Sequence, residues 1–578
     1  MWLKHDELER LDHVVGPVPA GAKDERIEAL GQRPRGVVKT LVAILAGSVA
    51  ALLLAHHPMI FSGLRQMQQD QGDTRLNNYL LEHIYQWIRS SPQHPAFWDP
   101  PEFSPRTNIL AYSDVMLSFA PVYWFWRAAG FEPDTAFQFW MLTTCVINFL
   151  MAFVFLRTCF GVSRRAALFG AVFFAGASSR VAQLTHQQLY CQTYVLLACI
   201  ALVRMFVSQA KSGTAPDSSR RHGTELWIGT FGLCIVLQFW GGFYNGYFIL
   251  LGCGIALFWA MLVPLYRRSI VEILWRNRIA VVLTAAGVFL LLLPLGIRYL
   301  AAMKSVGPRS LGAVGSFLPR PQSWIYLGPW NCLYGWMNRI SIFANMPCPF
   351  EQGIGLGFGT TLVALMGLWM GRRRPLIVLA ALTMATLIAV STLVAGQYSL
   401  WHIAYWWLPG AGALRAVCRL GLLLTLPAAI GVALLIDRCR GKLWRIGLGA
   451  GLLCLSEQIN VSPHYDKFEV RDRVNAIVAR IPPHAGRFFY SVTYESGRPE
   501  AQIDAMWASM RSGIPTINGY TSSIPPDYEL WDIVAITPAQ RRALRVQLER
   551  WINRWGLDER DVAWISDVDG QPPARRVR

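Results

Sequence analysis

The sequence predicts a polytopic α-helical membrane protein that ends in a small α/β domain. Apolar residues make up 53% of the chain and charged residues only 16%, whereas soluble domains carry about 25% charged residues. Several apolar runs approach or exceed the ~20 residues that a helix needs to cross ~30 Å of hydrocarbon. The chain from Asn460 onward is polar and reads as helix and strand segments instead of a further span.

We predict about eleven spans from the apolar runs. They are residues 37–57, 136–156, 166–177, 189–207, 226–243, 247–266, 280–297, 354–370, 376–395, 417–436 and 446–459. The run 109–126 is ambiguous, because a crossing there would place every later basic loop on the opposite side. We therefore expect it to dip into the bilayer and return, as a re-entrant or interfacial segment.

Basic residues set the predicted topology, since cytoplasmic loops carry an excess of Lys and Arg. The basic loops are residues 157–165, 204–221, 266–278, 371–375 and 437–445. With these loops inside, residues 1–36 form a retained cytoplasmic segment and 37–459 a transmembrane module. The external parts are then a first loop (58–135), a long loop (298–352) and a C-terminal α/β domain (460–578). The net charge of +18 follows from these loops and the two ends, so we expect no nucleic-acid partner.

Within the C-terminal domain, the spacing of apolar residues predicts a helix over 471–481, a strand over 487–494 and a charged amphipathic helix over 538–555. The turn-rich segment 513–528 between them could face the membrane. Two of the eleven cysteines, Cys332 and Cys348, share the long external loop. On the oxidising side of a membrane they predict a disulfide, although free buried thiols are the alternative.

An acidic stretch, DQGDTRLNNYLLEH, begins the first external loop. Apolar residues from Thr74 onward recur at helical spacing, which indicates an amphipathic helix lying at the membrane interface. Asp73 could serve only as the N-cap of that helix. Asp70 has no such explanation. Two acids three residues apart at the membrane surface therefore need a further reason.

Other polar residues lie near the predicted external ends of spans. Asp114 enters an apolar run, where a carboxylate is costly and usually faces a cavity or a partner; Arg75 or Arg106 could pair with it. The candidate substrate-binding residues are Arg75, Asp114, His186, Gln187, Tyr244 and Asn245. The aromatic turn that contains the last two could form a floor for a sugar, or belong to an interfacial aromatic belt.

Two arginines, Arg415 and Arg419, have i,i+4 spacing at the external mouth of a span. This spacing places them on one helical face. Guanidinium groups suit bidentate binding of phosphate, and a lipid phosphate would lie at this depth. Ordinary anchoring to phospholipid is the alternative.

Together, the acidic motif, the interfacial segments before the second span and the late PG-x4-R-x3-R element (409–419) resemble the GT-C superfamily of integral membrane glycosyltransferases. The closest resemblance is to its bacterial, polyprenyl-phosphate-sugar-dependent branch, and it covers residues 37–460. The DQGD motif of the first external loop is not the Asp-Glu pair of protein O-mannosyltransferases, and no WWD motif of oligosaccharyltransferases appears in the chain.

The resemblance implies transfer of a sugar from a polyprenyl-phosphate donor to a glycan, lipid or protein acceptor at the external face of a bacterial inner membrane. It implies Asp73, or else Asp70, as the general base, and Arg415 and Arg419 as ligands of the donor phosphate. The membrane lipid is a further partner, and a divalent cation is an optional one. The alternatives are a non-catalytic transporter or flippase of lipid-linked sugars and an envelope-assembly protein.

Overall fold

The computed structural model describes residues 34–212, 218–494 and 498–566, which are mostly helical. The first helices are α1 (Pro34–Phe61), α2 (Asp73–Ile88), α3 (Ala120–Ala128), α4 (Pro133–Phe160), α5 (Arg164–Gly176), α6 (Ser178–Ala182), α7 (Gln187–Tyr190), α8 (Thr193–Ser212), α9 (Ser218–Gly241), α10 (Phe243–Leu262), α11 (Pro264–Arg276), α12 (Arg278–Val306), α13 (Leu311–Ser316) and α14 (Ser341–Ala344). The later helices are α15 (Phe358–Met370), α16 (Pro375–Ser391), α17 (Trp401–Trp407), α18 (Gly421–Arg438), α19 (Trp444–Ser456), α20 (Lys467–Val478), α21 (Arg498–Ser512) and α22 (Pro538–Trp555).

Six helices of the described residues are long and apolar enough to cross a membrane. They are Val38–Phe61, Pro133–Phe160, Gln187–Gln209, Phe243–Leu262, Arg278–Val306 and Val417–Arg438. The chain is therefore a membrane protein. A helix coincides with each of the eleven predicted runs, but α5, α15, α16 and α19 are shorter than the six long helices, so the count of eleven crossings stays a prediction. The predicted cytoplasmic segment 1–36 lies almost wholly outside the described residues.

The predicted re-entrant run 109–126 forms no continuous helix. Two 3-10 turns, Ile109–Tyr112 and Leu117–Phe119, precede α3. Because α3 has nine residues, and a helix rises about 1.5 Å per residue, it is too short to cross the hydrocarbon alone.

Close packing of small residues fixes the position of α18. Gly367 of α15 and Gly431 of α18 face each other, and a Cβ on Gly367 would lie 1.8 Å from the carbonyl oxygen of Gly431. Such contacts between small residues let membrane helices approach closely. This packing fixes the position of α18. The N-terminal end of α18 directly follows the 3-10 turn that contains Arg419.

The two ends of the helix bundle differ in chemistry. At one end the short basic loops meet: Ser163 N donates to Asp437 Oδ1 at 2.8 Å, and Arg374 Nη1 donates to Phe160 O at 2.7 Å. At the other end lie the first external loop, the long loop and the C-terminal residues. This second end contains the candidate site described below.

Four short strands occur outside the membrane helices. They are β1 (Gln66–Gln68), β2 (His464–Asp466), β3 (Arg487–Ser491) and β4 (Val562–Ser566). β1 and β2 pair antiparallel, with Met67 opposite Tyr465, and so tie the start of the first external loop to the chain after the last helix of the bundle. β3 and β4 pair in parallel.

The three predicted C-terminal segments correspond to α20, β3 and α22. Pro538 occupies the first turn of α22, and Thr537 and Gln540 form a reciprocal capping box there, which explains why the helix begins at this point. The predicted domain does not have a core of its own, however. Leu80 and Phe103 of the first external loop share one hydrophobic cluster with Phe488, Met506 and other C-terminal residues.

The amphipathic helix predicted from Thr74 forms as α2, but protein covers most of it, and its place at the membrane interface stays a prediction. Residues 74–85 are all buried, because C-terminal residues cover the helix. Arg75 pairs with Asp504 at 2.6 Å, and Glu82 pairs with Arg127 at 2.8 Å. The polar face therefore meets protein charges instead of water.

The Arg75–Asp504 pair predicts a large stability effect, because both side chains are only 5% exposed. Arg75→Met leaves a buried carboxylate with one remaining partner, Arg473. We expect a loss of about 3 kcal/mol in the free energy of unfolding, measured in detergent. The matched control Arg550→Met breaks an exposed pair with Glu529 and should cost at most ~1 kcal/mol. Equal effects of the two variants would contradict the prediction.

Candidate active site

Four charged side chains from distant parts of the chain meet at the non-basic end of the bundle. Asp73 is the first residue of α2, His186 directly precedes α7, Glu351 belongs to the long loop, and Arg419 lies in a 3-10 turn before α18. We call these four residues the charge cluster. Because its members come from four separate segments, the cluster forms only when those segments are all in place.

His186 is the centre of the charge cluster. Its Nδ1 lies 3.1 Å from Asp73 Oδ2, and its Nε2 lies 3.0 Å from Glu351 Oε1. Arg419 donates to both oxygens of Glu351, at 3.2 Å from Nε and 2.7 Å from Nη2. Its Nη2 also lies 2.5 Å from His186 Nε2. Because Arg419 is a donor near Nε2 and Glu351 is an acceptor near the same atom, the imidazole of His186 can be held either neutral or protonated.

The cluster shifts the pKa values of its own members. For Asp73, burial favours the neutral acid, but hydrogen bonds from His186 and Tyr520 outweigh it and lower the carboxyl pKa. For Glu351, burial is likewise outweighed, by the Arg419 charge and His186, and the pKa falls well below its usual range. For His186, burial and Arg419 act to lower the pKa, yet the two carboxylates raise it overall. Both carboxylates are thereby held as anions.

Tyr520 of the turn-rich segment 513–528 covers the charge cluster. Its hydroxyl donates to Asp73 Oδ1 at 2.5 Å, and Ser522 N donates to Ser113 Oγ at 3.1 Å. The segment therefore lies over the site, and its predicted orientation toward the membrane stays a prediction. Nothing in the sequence around Tyr520 indicated this role, since its partner is far away in the chain.

Asp70 and Asp73 have different surroundings although only two residues separate them. Asp70 Oδ1 accepts from Gly72 N at 2.6 Å, and burial together with the Asp73 charge raises the pKa of Asp70. Gly72 is the N-cap of α2, and no side chain caps that end. Asp73 thus does not act as the N-cap, and its carboxylate points into the cluster instead.

Asp114 also lies close to the charge cluster. It accepts a hydrogen bond from Phe243 N at 2.7 Å, and its pKa is raised mainly by burial, with Arg419 and His186 opposing that effect. The predicted partners of this carboxylate were wrong. Arg75 pairs with Asp504, and Arg106 pairs with Asp527.

The two arginines of the 409–419 element separate in the structure. Arg415 is exposed in a bend and lies 5.0 Å from the ring of Phe317, whereas Arg419 is buried in the charge cluster, 5.0 Å from the ring of Tyr244. Tyr244 Oη accepts from the backbone N–H groups that follow Leu414 and so holds this bend. The prediction that both arginines stand on one helical face is wrong, because the chain here is not a regular α-helix.

Arg309, which the sequence reasoning missed, lies near Arg415. It donates to Ser523 Oγ and to the carbonyl oxygen of Ser522. Burial and the nearby Arg415 charge lower its pKa. Neither arginine has a carboxylate within ion-pair distance among the residues described. An arginine on the predicted external side, against the positive-inside trend, was the signal that could have identified it.

Three further candidates are bound to protein groups. Gln187 lies between Asn77 and Thr74, at 2.6 and 3.1 Å. Asn245 donates to Leu189 O at 3.0 Å. Arg75 is buried against the C-terminal residues. These side chains connect α2, α7 and α10 and support the site from behind.

The predicted disulfide is not formed, since both Cys332 and Cys348 are free. Cys332 is exposed, and its backbone N–H donates to Ile459 O at 2.9 Å. Cys348 instead lies near Arg320 and Glu351. Cys332 and Cys348 therefore do not form a disulfide, although they belong to the same loop.

The structure contains no obvious metal site in the part of the chain that it describes. No group of three or more His, Cys, Asp or Glu side chains there is placed to hold a metal ion. In the charge cluster, His186 and Arg419 already occupy the space next to the carboxylates. A requirement for a divalent cation stays an untested prediction.

The charge cluster predicts a stability maximum in mildly acidic solution. The lowered pKa values of Asp73 and Glu351 give stability that is lost as pH falls below about 4, and the raised pKa of His186 gives stability that is lost as pH rises above about 6.5. We expect the thermal unfolding midpoint to decline on both sides of this window.

The variant His186→Gln should remove the alkaline decline, because the titrating imidazole is gone. His484→Gln, at an exposed histidine, is the matched control and should keep it. An unchanged alkaline decline in His186→Gln would refute the assignment to His186.

Comparisons with known proteins identify no family. No protein-family model matches the chain, and no curated protein matches it. Among solved structures, it resembles the apo form of an oligosaccharyltransferase from Archaeoglobus fulgidus, with a TM-score of 0.47 and 11% identity. The match covers 83% of this chain and 64% of that chain, so this chain spans less than two thirds of the other. That score is too low to establish a common fold, and nothing about activity follows from it.

Proposed function

We propose that this protein is a GT-C-like membrane glycosyltransferase. It would move a sugar from a polyprenyl-phosphate donor to a glycan, lipid or protein acceptor at the external face of a bacterial inner membrane. The observation that carries this proposal is a partly exposed carboxylate, Asp73, which is held as an anion. The turn from Tyr520 to Ser523 joins it to Arg309, and neither Arg309 nor the nearby Arg415 has a carboxylate partner among the described residues. The sequence motifs that resemble the superfamily provide the donor class.

The proposed orientation rests on the difference between the two ends of the bundle. The basic loops that meet near Asp437 suit the cytoplasmic side. The charge cluster lies at the opposite end, near the N-terminal ends of the Gln187–Gln209, Phe243–Leu262 and Val417–Arg438 helices. The C-terminal residues lie at that same end and are external in this orientation.

Asp73 has the properties of a general base for an acceptor hydroxyl. Its side chain is 26% exposed, more than that of His186 or Glu351. Tyr520 and His186 each use one of its oxygens, and a carboxylate has about four lone-pair sites, so an acceptor hydroxyl can also donate to it. The charge of the proton taken from that hydroxyl is then stabilised by the imidazole of His186 and by Glu351, the second carboxylate that contacts this imidazole.

Arg309 and Arg415 are suited to the donor phosphate. Two nearby cations without a carboxylate raise each other's electrostatic energy, and an anion between them removes that cost. As the bond between sugar and phosphate breaks, the leaving phosphate gains charge, and guanidinium groups stabilise it. Arg419 is less suited to this role than predicted, because Glu351 already neutralises it.

The first test is Asp73→Asn, assayed by transfer of radiolabelled sugar from polyprenyl phosphate in proteoliposomes. The carboxamide keeps the shape but cannot take the proton, so we expect turnover to fall about 100- to 10,000-fold. The matched control Asp472→Asn, at an exposed aspartate of α20, should keep normal turnover.

Near-normal turnover of folded Asp73→Asn would reject this residue as the base and favour Asp70 or Asp114. If the wild-type protein instead moves lipid-linked sugar across the bilayer without transferring it, the protein is a transporter and the proposed reaction is wrong.

The second test separates the arginines by function. Arg309→Ala and Arg415→Ala should each raise the donor KM and lower kcat. In each single variant, kcat/KM should fall roughly 10- to 150-fold, the equivalent of ~1.5–3 kcal/mol for one charge-assisted contact. Arg→Lys should restore only part of the loss, since an ammonium lacks the planar fork. Arg541→Ala, at an exposed position of α22, is the control.

Arg419→Ala should behave differently, because it leaves buried Glu351 without its cation. We expect a loss of about 3–5 kcal/mol in stability, seen as a lower unfolding midpoint. Unchanged kinetics in a folded Arg309→Ala/Arg415→Ala double variant would eliminate the phosphate role.

A further inference from the structure

A cavity of about 350 Å³ lies next to the charge cluster. Its lining residues include the acid Asp70 and the polar residues Gln69, Thr185 and Ser462. Phe350, the neighbour of Glu351 in the chain, lies on another side of it. Ligand pockets in proteins start at about 300 Å³, so the space suits one or two sugar rings.

One part of the cavity lining is an aromatic surface formed by two nearly parallel rings. The rings of Trp330 and Phe350 have an interplanar angle of 16° and centroids 6.2 Å apart. They are 42% and 60% exposed, although buried positions are normal for such large apolar side chains. Backbone pairing fixes the Trp330 side, because Val461 N donates to Trp330 O at 2.9 Å. The surface is therefore held in place without a ligand.

The charge of the lining excludes a phosphate as the natural occupant. None of the twelve residues that line the cavity is Lys, Arg or His, and Asp70 is the one acid among them. Arg309 and Arg415 line no part of it. A phosphate-bearing donor is thus attracted to the arginines, and the cavity is left for a neutral molecule.

We propose that this cavity binds the acceptor and that the acceptor is a neutral sugar residue of a glycan. The apolar C–H face of a sugar ring lies against Trp330 and Phe350, and its hydroxyls donate to Asp70 and exchange hydrogen bonds with Gln69 and Thr185. The identification of the bound sugar as the acceptor rests on the proposed transferase function. The cavity as a saccharide-binding site does not depend on it.

The position of Asp70 connects the cavity with the reaction. Asp70 lines the cavity, and its charge acts on both Asp73 and His186. A sugar held by Asp70 therefore has a hydroxyl directed toward the carboxylate that takes the proton. In that step the hydroxyl oxygen forms the new bond to the anomeric carbon, its proton passes to Asp73, and the bond between the sugar and the phosphate breaks.

The test measures binding without any transfer. Neutral di- and trisaccharides built from hexoses or from pentoses are presented to the full-length protein in a detergent without a sugar headgroup, and binding is followed by saturation-transfer NMR. We expect at least one of these probes to bind the wild type. Ala182→Phe fills the cavity from α6 and should abolish the signal, and Trp330→Ala should weaken binding several-fold.

Trp336→Ala is the matched control, because Trp336 is 53% exposed in the same loop but does not line the cavity. It should leave binding unchanged. Thermal unfolding checks that each variant is folded, and Trp330→Ala keeps the test valid if Ala182→Phe fails to fold. Trp330→Phe should restore most of the affinity, since it keeps an aromatic face.

Three results would overturn the inference: no binding of any neutral saccharide, equal binding by folded Ala182→Phe, or stronger binding of a hexose 1-phosphate in the cavity. Asp73→Asn separates this inference from the proposed function. That variant should still bind the saccharide while it loses transfer. Saccharide binding in the cavity by a wild-type protein that performs no transfer would retain the binding site and reject the reaction.

Discussion

A mostly buried imidazole between two carboxylates holds the non-basic end of this protein together. Charges removed from water are costly unless they are paired and hydrogen-bonded. His186 and Arg419 together satisfy Asp73 and Glu351, and the four residues belong to four separate segments of the chain. Removing one member leaves the opposite charge buried without its partner. The same contacts that stabilise the loops therefore also determine where Asp73 lies and that it is an anion.

The C-terminal residues are part of this arrangement. They share a hydrophobic core with the first external loop, pair with it through β1 and β2, and add Tyr520 to the carboxylate of Asp73. Three residues further along the chain, Ser523 accepts a hydrogen bond from Arg309. One short turn thus connects the proposed base with the proposed phosphate site, and a displacement of this turn would alter both. A freely moving external domain could not provide such a connection.

The sequence predicted most where the physics is local. Long apolar runs indicated the helices of the bundle, and Pro538 with its cap marked the start of α22. The position of α2 was not predictable, because an amphipathic pattern is the same whether its apolar face meets lipid or protein. Glu351 and Tyr520 were missed since loop residues have no periodic pattern and their partners are distant in the chain. The available signal for Glu351 was that it is the one acid in the long loop 298–352.

The opposite pKa shifts of two neighbouring aspartates divide their roles. Burial and the adjacent charge raise the pKa of Asp70, while hydrogen bonds lower that of Asp73. Two carboxyl groups whose environments separate their pKa values are suited to different tasks. In the proposed reaction, Asp70 would be able to donate to a bound sugar as well as accept from it, whereas Asp73 would stay ionised and receive the proton. A low pKa alone would make Asp73 a weak base. His186 offsets this weakness, because its Nδ1 shares the incoming proton's charge with the carboxylate and its Nε2 passes part of that charge to Glu351.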